Sequence, residues 1–182
     1  MGGSRCSSSS SADASYAVEM RRILVTGMSG TGKSTALAEL ARLGFAVVET
    51  DVPPWSEWSE QGGGYVWNEE QISPLLEREQ ETTLYVSGTV SNQGRFYPRF
   101  DAVVLLSAPA NVLLTRIASR TTNDFGKSAE ERERIVADIA EVEPLLRAGC
   151  TRKIDATRPV AAVVAELIAI GDPLRSREAS SM

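Results

Sequence analysis

The most specific chemistry in this chain lies between residues 27 and 34. Gly27-Met28-Ser29-Gly30-Thr31-Gly32-Lys33-Ser34 fits GxxxxGK[ST] in full. Glycines at these positions let the backbone turn its N–H groups inward, and a nest of such donors is what phosphate oxygens need. Gly27, Ser29, Gly30, Thr31 and Gly32 supply that cradle. Lys33 reaches the β- and γ-phosphates as a point charge, Ser34 offers its hydroxyl to Mg²⁺, and Thr35 follows at the α-phosphate. The apolar run RILVT precedes the loop and a helical pattern starts at Lys33, so the loop sits between a strand end and a helix N-terminus. The positive end of that helix adds to the attraction for phosphate. Together these residues point to a nucleoside triphosphate site.

Carboxylates at one strand end form the second candidate. A predicted strand at 46–50 runs out in Glu49-Thr50-Asp51, and alternation sets Glu49 and Asp51 on one side, close to the phosphate loop. Other strand ends lack acid: one run stops at Ser87-Gly88-Thr89 and another at Ser107-Ala108. Asp101 begins its strand, away from the carboxyl ends where ligands gather in open α/β sheets. No NKxD-type guanine reader occurs, which argues against a GTPase. The chain has no histidine, so Ser-His-Asp and Cys-His nucleophiles and HExxH metal sites are excluded together. Cys6 and Cys150 stand far apart with no CxxC, which suggests neither a metal knuckle nor a redox pair. Such sparse cysteine use fits a reducing cytoplasm.

These groups need a scaffold. A chain of 182 residues is enough for one domain with a substantial core. Its net charge of −5 provides no general attraction for nucleic acid or anionic lipid, and no apolar run approaches a membrane span. Residues 1–19, with serine from Ser7 to Ser11, read as a disordered extension, and 172–182 as a flexible tail. Between them, over 20–171, short β-branched runs alternate with amphipathic stretches. Strands are predicted at 22–26, 46–50, 83–87, 102–107 and 152–155, and helices at 33–43, 68–81, 110–120, 129–147 and 160–170. Pro109 and Pro159 open two of the helices. Right-handed crossovers through such helices give an α/β fold, a three-layer, doubly wound, parallel five-stranded sheet.

With these motifs in place, the chain resembles the small P-loop kinases grouped around adenylate, shikimate and gluconate kinases. The resemblance spans about 22–170. In the shikimate kinase pattern a D-x-D at the second strand end holds Mg²⁺ and the acceptor hydroxyl, and Glu49-Thr50-Asp51 is similar, with Glu in the first place. It implies that Glu49 serves Mg²⁺ and that Asp51 orients and deprotonates the acceptor hydroxyl. Gly88 matches one glycine of the substrate-contacting turn after the third strand. Arg116 and Arg120, four apart on one helix face, match an arginine that lies against adenine and a lid arginine that clamps the γ-phosphate. Asp155-Ala156-Thr157-Arg158-Pro159 is similar to the adenine-binding loop, which assigns Arg158 and Pro159 to the base.

The acceptor side is less defined by its residues. Ser87, Thr89, Asn92 and Arg95 present polar groups to an acceptor, with Arg95 a candidate anion clamp. Between Asp51 and Asn68 lie all three tryptophans, Trp55, Trp58 and Trp67, with Tyr65 and the run Gly62–Gly64. This reads as an irregular segment whose glycines make a mobile flap. Its aromatic faces either cover a flat acceptor or pack the segment onto the core. The expected activity is ATP- and Mg²⁺-dependent phosphoryl transfer to a small hydroxylated metabolite, by a cytoplasmic monomer or homodimer without nucleic-acid or membrane partners. A nucleoside or nucleotide acceptor competes with that reading, as does an ATP-binding regulatory module with slow hydrolysis.

Overall fold

The computed structural model describes residues 20–119 and 128–171. Along the chain come β1 (Arg22–Thr26), α1 (Lys33–Arg42), β2 (Ala46–Glu49), β3 (Ser56–Ser59), β4 (Gly64–Trp67), α2 (Glu69–Glu77) and β5 (Leu84–Ser87). A 3-10 segment, Gln93–Arg99, leads to β6 (Ala102–Ser107), α3 (Ala110–Ser119), α4 (Ala129–Gly149), β7 (Arg152–Asp155) and α5 (Val160–Gly171). The main sheet has the order β2-β5-β1-β6-β7 and every pairing in it is parallel. It is the five-stranded α/β sheet expected from the alternating pattern.

Strand alternation divides the core in two. Ile23, Val25, Tyr85 and Val104 face one layer with Leu37 and Leu40 of α1 and Val163 and Leu167 of α5. Leu24, Leu84, Val86 and Val103 face the other, with Ile72 and Leu76 of α2 and Phe96 and Phe100 of the 3-10 segment. Both faces are therefore covered, which is why these strands read as continuous apolar runs. Among the described residues no helix is long and apolar enough to cross a membrane.

Three elements differ from the sequence reading. The irregular segment expected after Asp51 contains an antiparallel hairpin, in which Ser56 pairs with Trp67 and Trp58 with Tyr65. Gly63, with φ of +65°, lies in its turn, so the glycine run closes a hairpin instead of forming a free flap. Its alternation of Ser, Glu and Trp carries too few aliphatics to announce a strand. The second difference is α2, which starts one residue later and ends at Glu77, short of 81. Asn68 is its cap, its side chain accepting from the Glu70 N–H at 3.0 Å, and the polar residues 78–82 offer no apolar face to extend it. The third is the 3-10 segment, whose Pro98 and seven-residue length fall below any helical periodicity.

The hairpin is fastened to the edge of the sheet by Thr50, which is fully buried. Trp67 Nε1 donates to Thr50 Oγ1 at 2.6 Å, Thr50 Oγ1 donates to Ser87 O at 2.6 Å, and Ser56 Oγ donates to Thr50 O. Gly88 lies against this junction, and a Cβ there meets Thr50 Oγ1 and the Trp67 indole. The match to a substrate-contacting glycine is thus also a packing requirement. Gly88→Ala is expected to destabilise the fold by about 1–3 kcal/mol through overpacking, measured by urea denaturation. An unchanged midpoint would mean that the indole is free to move.

Candidate active site

The phosphate loop leaves β1 at its carboxyl end. Gly27 (φ +148°) comes so close to β6 that a Cβ would strike the Leu106 carbonyl. Gly30 (φ +84°) packs on α3, where a Cβ would lie 3.0 Å from Leu113 O and 3.1 Å from Ile117 Cγ1. Gly32, at φ +90°, forms the cap position of α1. These left-handed conformations explain the glycine spacing. Thr31 Oγ1 donates to Met28 O at 2.9 Å and ties the loop's bend from within.

A cavity of about 680 Å³ opens over this loop. Ser29, Gly30, Thr31, Gly32, Lys33, Ser34 and Thr35 form its floor. Glu49 and Asp51 come in from the end of β2, Arg116 from α3, and Ala156 and Arg158 from the segment after β7. The structure thus brings cradle, carboxylates, Arg116 and Arg158 into one space. Val52, Ser119, Val160 and Val163 also line it, residues that the sequence reading passed over because single apolar or serine positions carry no motif. With Ala156, the two valines of α5 give it an apolar wall. Pro159 stands just outside, its carbonyl accepting the first bonds of α5 from Ala162 and Val163.

Lys33 Nζ donates to Gly27 O at 2.6 Å. Burial holds the amine below the ordinary lysine range, and the nearby charges of Asp51 and Glu49 oppose that shift. Asp51 Oδ1 accepts from the Thr89 N–H at 3.2 Å, and Thr89 Oγ1 donates to Gly27 O at 2.7 Å. The site therefore ties two strand ends through one residue after a third strand. Ser87 Oγ is buried with no hydrogen-bond partner, on a residue paired with Glu49 across the sheet. No cluster of three acidic or thiol ligands exists among the described residues. A divalent ion here would therefore need phosphate oxygens and water to complete its shell, as Mg²⁺ usually does. The hydroxyl of Ser34 and the carboxylates of Glu49 and Asp51, which all line this cavity, are hard oxygen donors that fit such an ion.

The segment after β7 is fixed by Asp155. Its Oδ1 accepts from Thr157 N at 2.9 Å and Thr157 Oγ1 at 2.7 Å, and Arg158 pairs with Glu166 of α5 at 2.5 Å. The Thr157 side-chain bond, then the Thr157 backbone bond, hold the Asp155 carboxyl below its ordinary range, with Arg158 and Lys153 adding to them. A depressed carboxyl stabilises the fold above its unfolded pKa of about 3.9, and that contribution disappears as pH falls through the folded value. Asp155→Asn is therefore expected to lower Tm slightly near pH 6, with the deficit closing as pH falls below the unfolded value of about 3.9. Paired melting curves across that range check it, and a deficit that persists in acid would contradict the linkage.

Other expected acceptor residues are elsewhere or otherwise engaged. Arg95 lies in a separate recess of about 870 Å³ with Glu57, Asn68 and Glu69, and pairs with Glu69 at 3.2 Å. Asn92 holds the backbone of Trp67, accepting from its N–H at 2.8 Å and donating to its carbonyl at 3.0 Å. Trp67 is 1% exposed and packs on Phe96, whereas Trp58 and Tyr65 are 60% and 57% exposed and meet edge to face. The aromatic segment therefore divides between core and surface. Arg120, assigned to the lid, lies outside the described residues, as do 1–19 and 172–182.

A model of the AAA domain family matches residues 23–137. The curated proteins contain no match. Among solved structures, shikimate kinase from Acinetobacter baumannii in complex with shikimate superposes with a TM-score of 0.61 at 18% identity, covering 84% of this chain and 93% of that one. Deoxyadenosine kinase from M. mycoides with bound dATP gives 0.56 at 17% identity, with coverage of 82% and 97%. A gluconokinase from Sinorhizobium meliloti 1021 gives 0.51 at 22%, with coverage of 82% and 90%. At these identities the likeness establishes the fold, that of small P-loop kinases.

Proposed function

Since this chain belongs to the AAA domain family, we propose that it transfers the γ-phosphate of ATP to a hydroxyl of a small metabolite, in the manner of the shikimate and gluconate kinases whose fold it has. The observation that carries this reading is the single cavity in which a phosphate cradle and Lys33 face two carboxylates at the end of β2. One carboxylate beside a phosphate cradle serves Mg²⁺ in any nucleotide-hydrolysing site; a second adds a group to orient an acceptor hydroxyl.

Backbone N–H groups of Ser29 to Gly32 surround the β-phosphate, and Lys33 bridges to the γ-phosphate. Thr35 takes the α-phosphate. Ser34 and Glu49 would hold Mg²⁺, which when bound would neutralise charge at the transferring group. Asp51 aligns the acceptor hydroxyl and accepts its proton. Arg116, with the wall of Ala156, Val160 and Val163 and with Arg158 and Pro159, would take the adenine, and the clamp on the phosphates stays with Arg120 as the resemblance implies. Gly88 serves the acceptor side indirectly, by letting Thr50 and Trp67 close against it. Arg95 reaches the acceptor only by exchanging its ion pair with Glu69. A cavity of about 680 Å³ suits a small molecule, and a net charge of −5 offers no attraction for nucleic acid. We place the protein in the cytoplasm as a monomer or homodimer.

Thermal-shift titration tests the reading. Ligands that bind the folded state raise its midpoint. ATP with Mg²⁺ should do so, and one compound from a panel of hydroxy acids, sugars and nucleosides should add a further rise and yield a phosphorylated product. A rise with ATP that no compound augments, with phosphate as the only product, overturns the kinase reading.

A further inference from the structure

Phosphoryl transfer depends on the distance between two groups on different strands. Lys33 of the loop after β1 fixes the γ-phosphate, and Asp51 beyond β2 fixes the acceptor. Reacting atoms must lie about 3–3.5 Å apart, and a misplacement of about 1 Å costs on the order of 100-fold. Yet β2 is the edge strand, and β1 is reached from it only across β5. The last ladder bond on that edge is Thr50 N to Ser87 O, at 2.9 Å, so Asp51 lies just past the sheet and is exposed.

Only a residue leaving the carboxyl end of β5 can touch both neighbours, and Thr89 does. Its N–H donates to Asp51 Oδ1 at 3.2 Å, and its hydroxyl donates at 2.7 Å to the Gly27 carbonyl that also accepts from Lys33 at 2.6 Å. Gly27 is buried and Thr89 half-buried, so that hydroxyl bond is partly withdrawn from water. Below it, Thr26 Oγ1 lies 3.5 Å from Thr89 Oγ1 and bonds to buried Gln93, whose Nε2 donates to Tyr97 OH at 2.9 Å. This polar brace fixes the turn on which Thr89 sits.

We propose that Thr89 is a positioning residue that sets the separation between the phosphate loop and the acceptor carboxylate. Its hydroxyl anchors the turn to Gly27, and its N–H then places Asp51. The inference rests on the kinase reading for its effect on rate, but the bracket itself is measurable without turnover.

Thr89→Val removes the hydroxyl while keeping shape and backbone N–H, and Thr89→Ser restores the donor. With whichever compound of that panel is phosphorylated, Thr89→Val should lower kcat about tenfold, the effect of one partly buried hydrogen bond, and change the KM for ATP less than about twofold. Thr89→Ser should return within about twofold of wild type. In an Asp51→Asn background the Val substitution should cost almost nothing further, because the group it positions is already disabled. Equal losses in both backgrounds, no rescue by serine, or loss of the fold in the Val variant would overturn the proposal. Independently of any acceptor, amide exchange at residue 89 should quicken about tenfold in Thr89→Val. Should wild type bind ATP and phosphorylate nothing, the kinase reading fails alone, and unchanged exchange would then overturn the bracket as well.

Discussion

Lys33→Ala lowers the rate of phosphoryl transfer by about 100- to 1,000-fold, the usual effect of removing one preorganised group from developing charge. The fold should survive, and the sign of the lysine's perturbation says why. Burial holds its amine below the ordinary range, so the charged form is less favourable in the native protein than in the unfolded chain. Between the folded value and about 10.4 the unfolded chain binds more protons, so the stability of wild type rises with pH across that window. Alanine removes the penalty and leaves Gly27 O bonded to Thr89. The variant's Tm at pH 7 should therefore equal or exceed that of wild type, with the difference narrowing toward alkaline pH. Its thermal shift with ATP and Mg²⁺ should shrink at the same time. Turnover at the wild-type rate would remove Lys33, and with it the phosphate cradle, from the mechanism.

The sequence revealed the phosphate loop because backbone geometry there dictates residue type. Gly27 and Gly30 face a carbonyl and a side chain where a Cβ has no room, so the spacing of glycines is itself a record of the fold. The strands were legible for a similar reason. Ile23, Leu24 and Val25 face both covered sides of the sheet in succession, which leaves no polar position to blur the run. The hairpin was illegible because its stability is borrowed. Trp67 and Ser56 bind it to Thr50, contacts across the chain that no local pattern encodes. Asn92 was read as a donor to substrate but satisfies the backbone of Trp67, since a side-chain amide suits either task and only the fold chooses between them. By residue type alone, Thr89 is only a polar residue near the acceptor. Its contacts to two other strand ends depend on the order β2-β5-β1, which residue type cannot supply.

Asp51→Asn should separate the acceptor side from the nucleotide side more cleanly than any other change. Asparagine keeps an Oδ1 that can accept from the Thr89 N–H, so the turn and the phosphate loop stay where they are. What is lost is charge and basicity. A group that aligns and deprotonates the acceptor contributes about 100-fold or more, and kcat should fall by that order. ATP affinity should hold or rise, because one negative charge beside the triphosphate has gone. Opposite signs in the two parameters are the test. A substitution that merely loosened the site would weaken both, and equal losses would assign Asp51 to the nucleotide or its metal. Glu49→Gln provides the contrast, since Glu49 shares the cavity and lies within reach of the Lys33 charge. If Glu49 serves Mg²⁺, its variant should need more Mg²⁺ for half-maximal rate, while Asp51→Asn leaves that requirement unchanged. Exchange of those two outcomes would swap the roles of the carboxylates and keep the cavity as the place where transfer occurs.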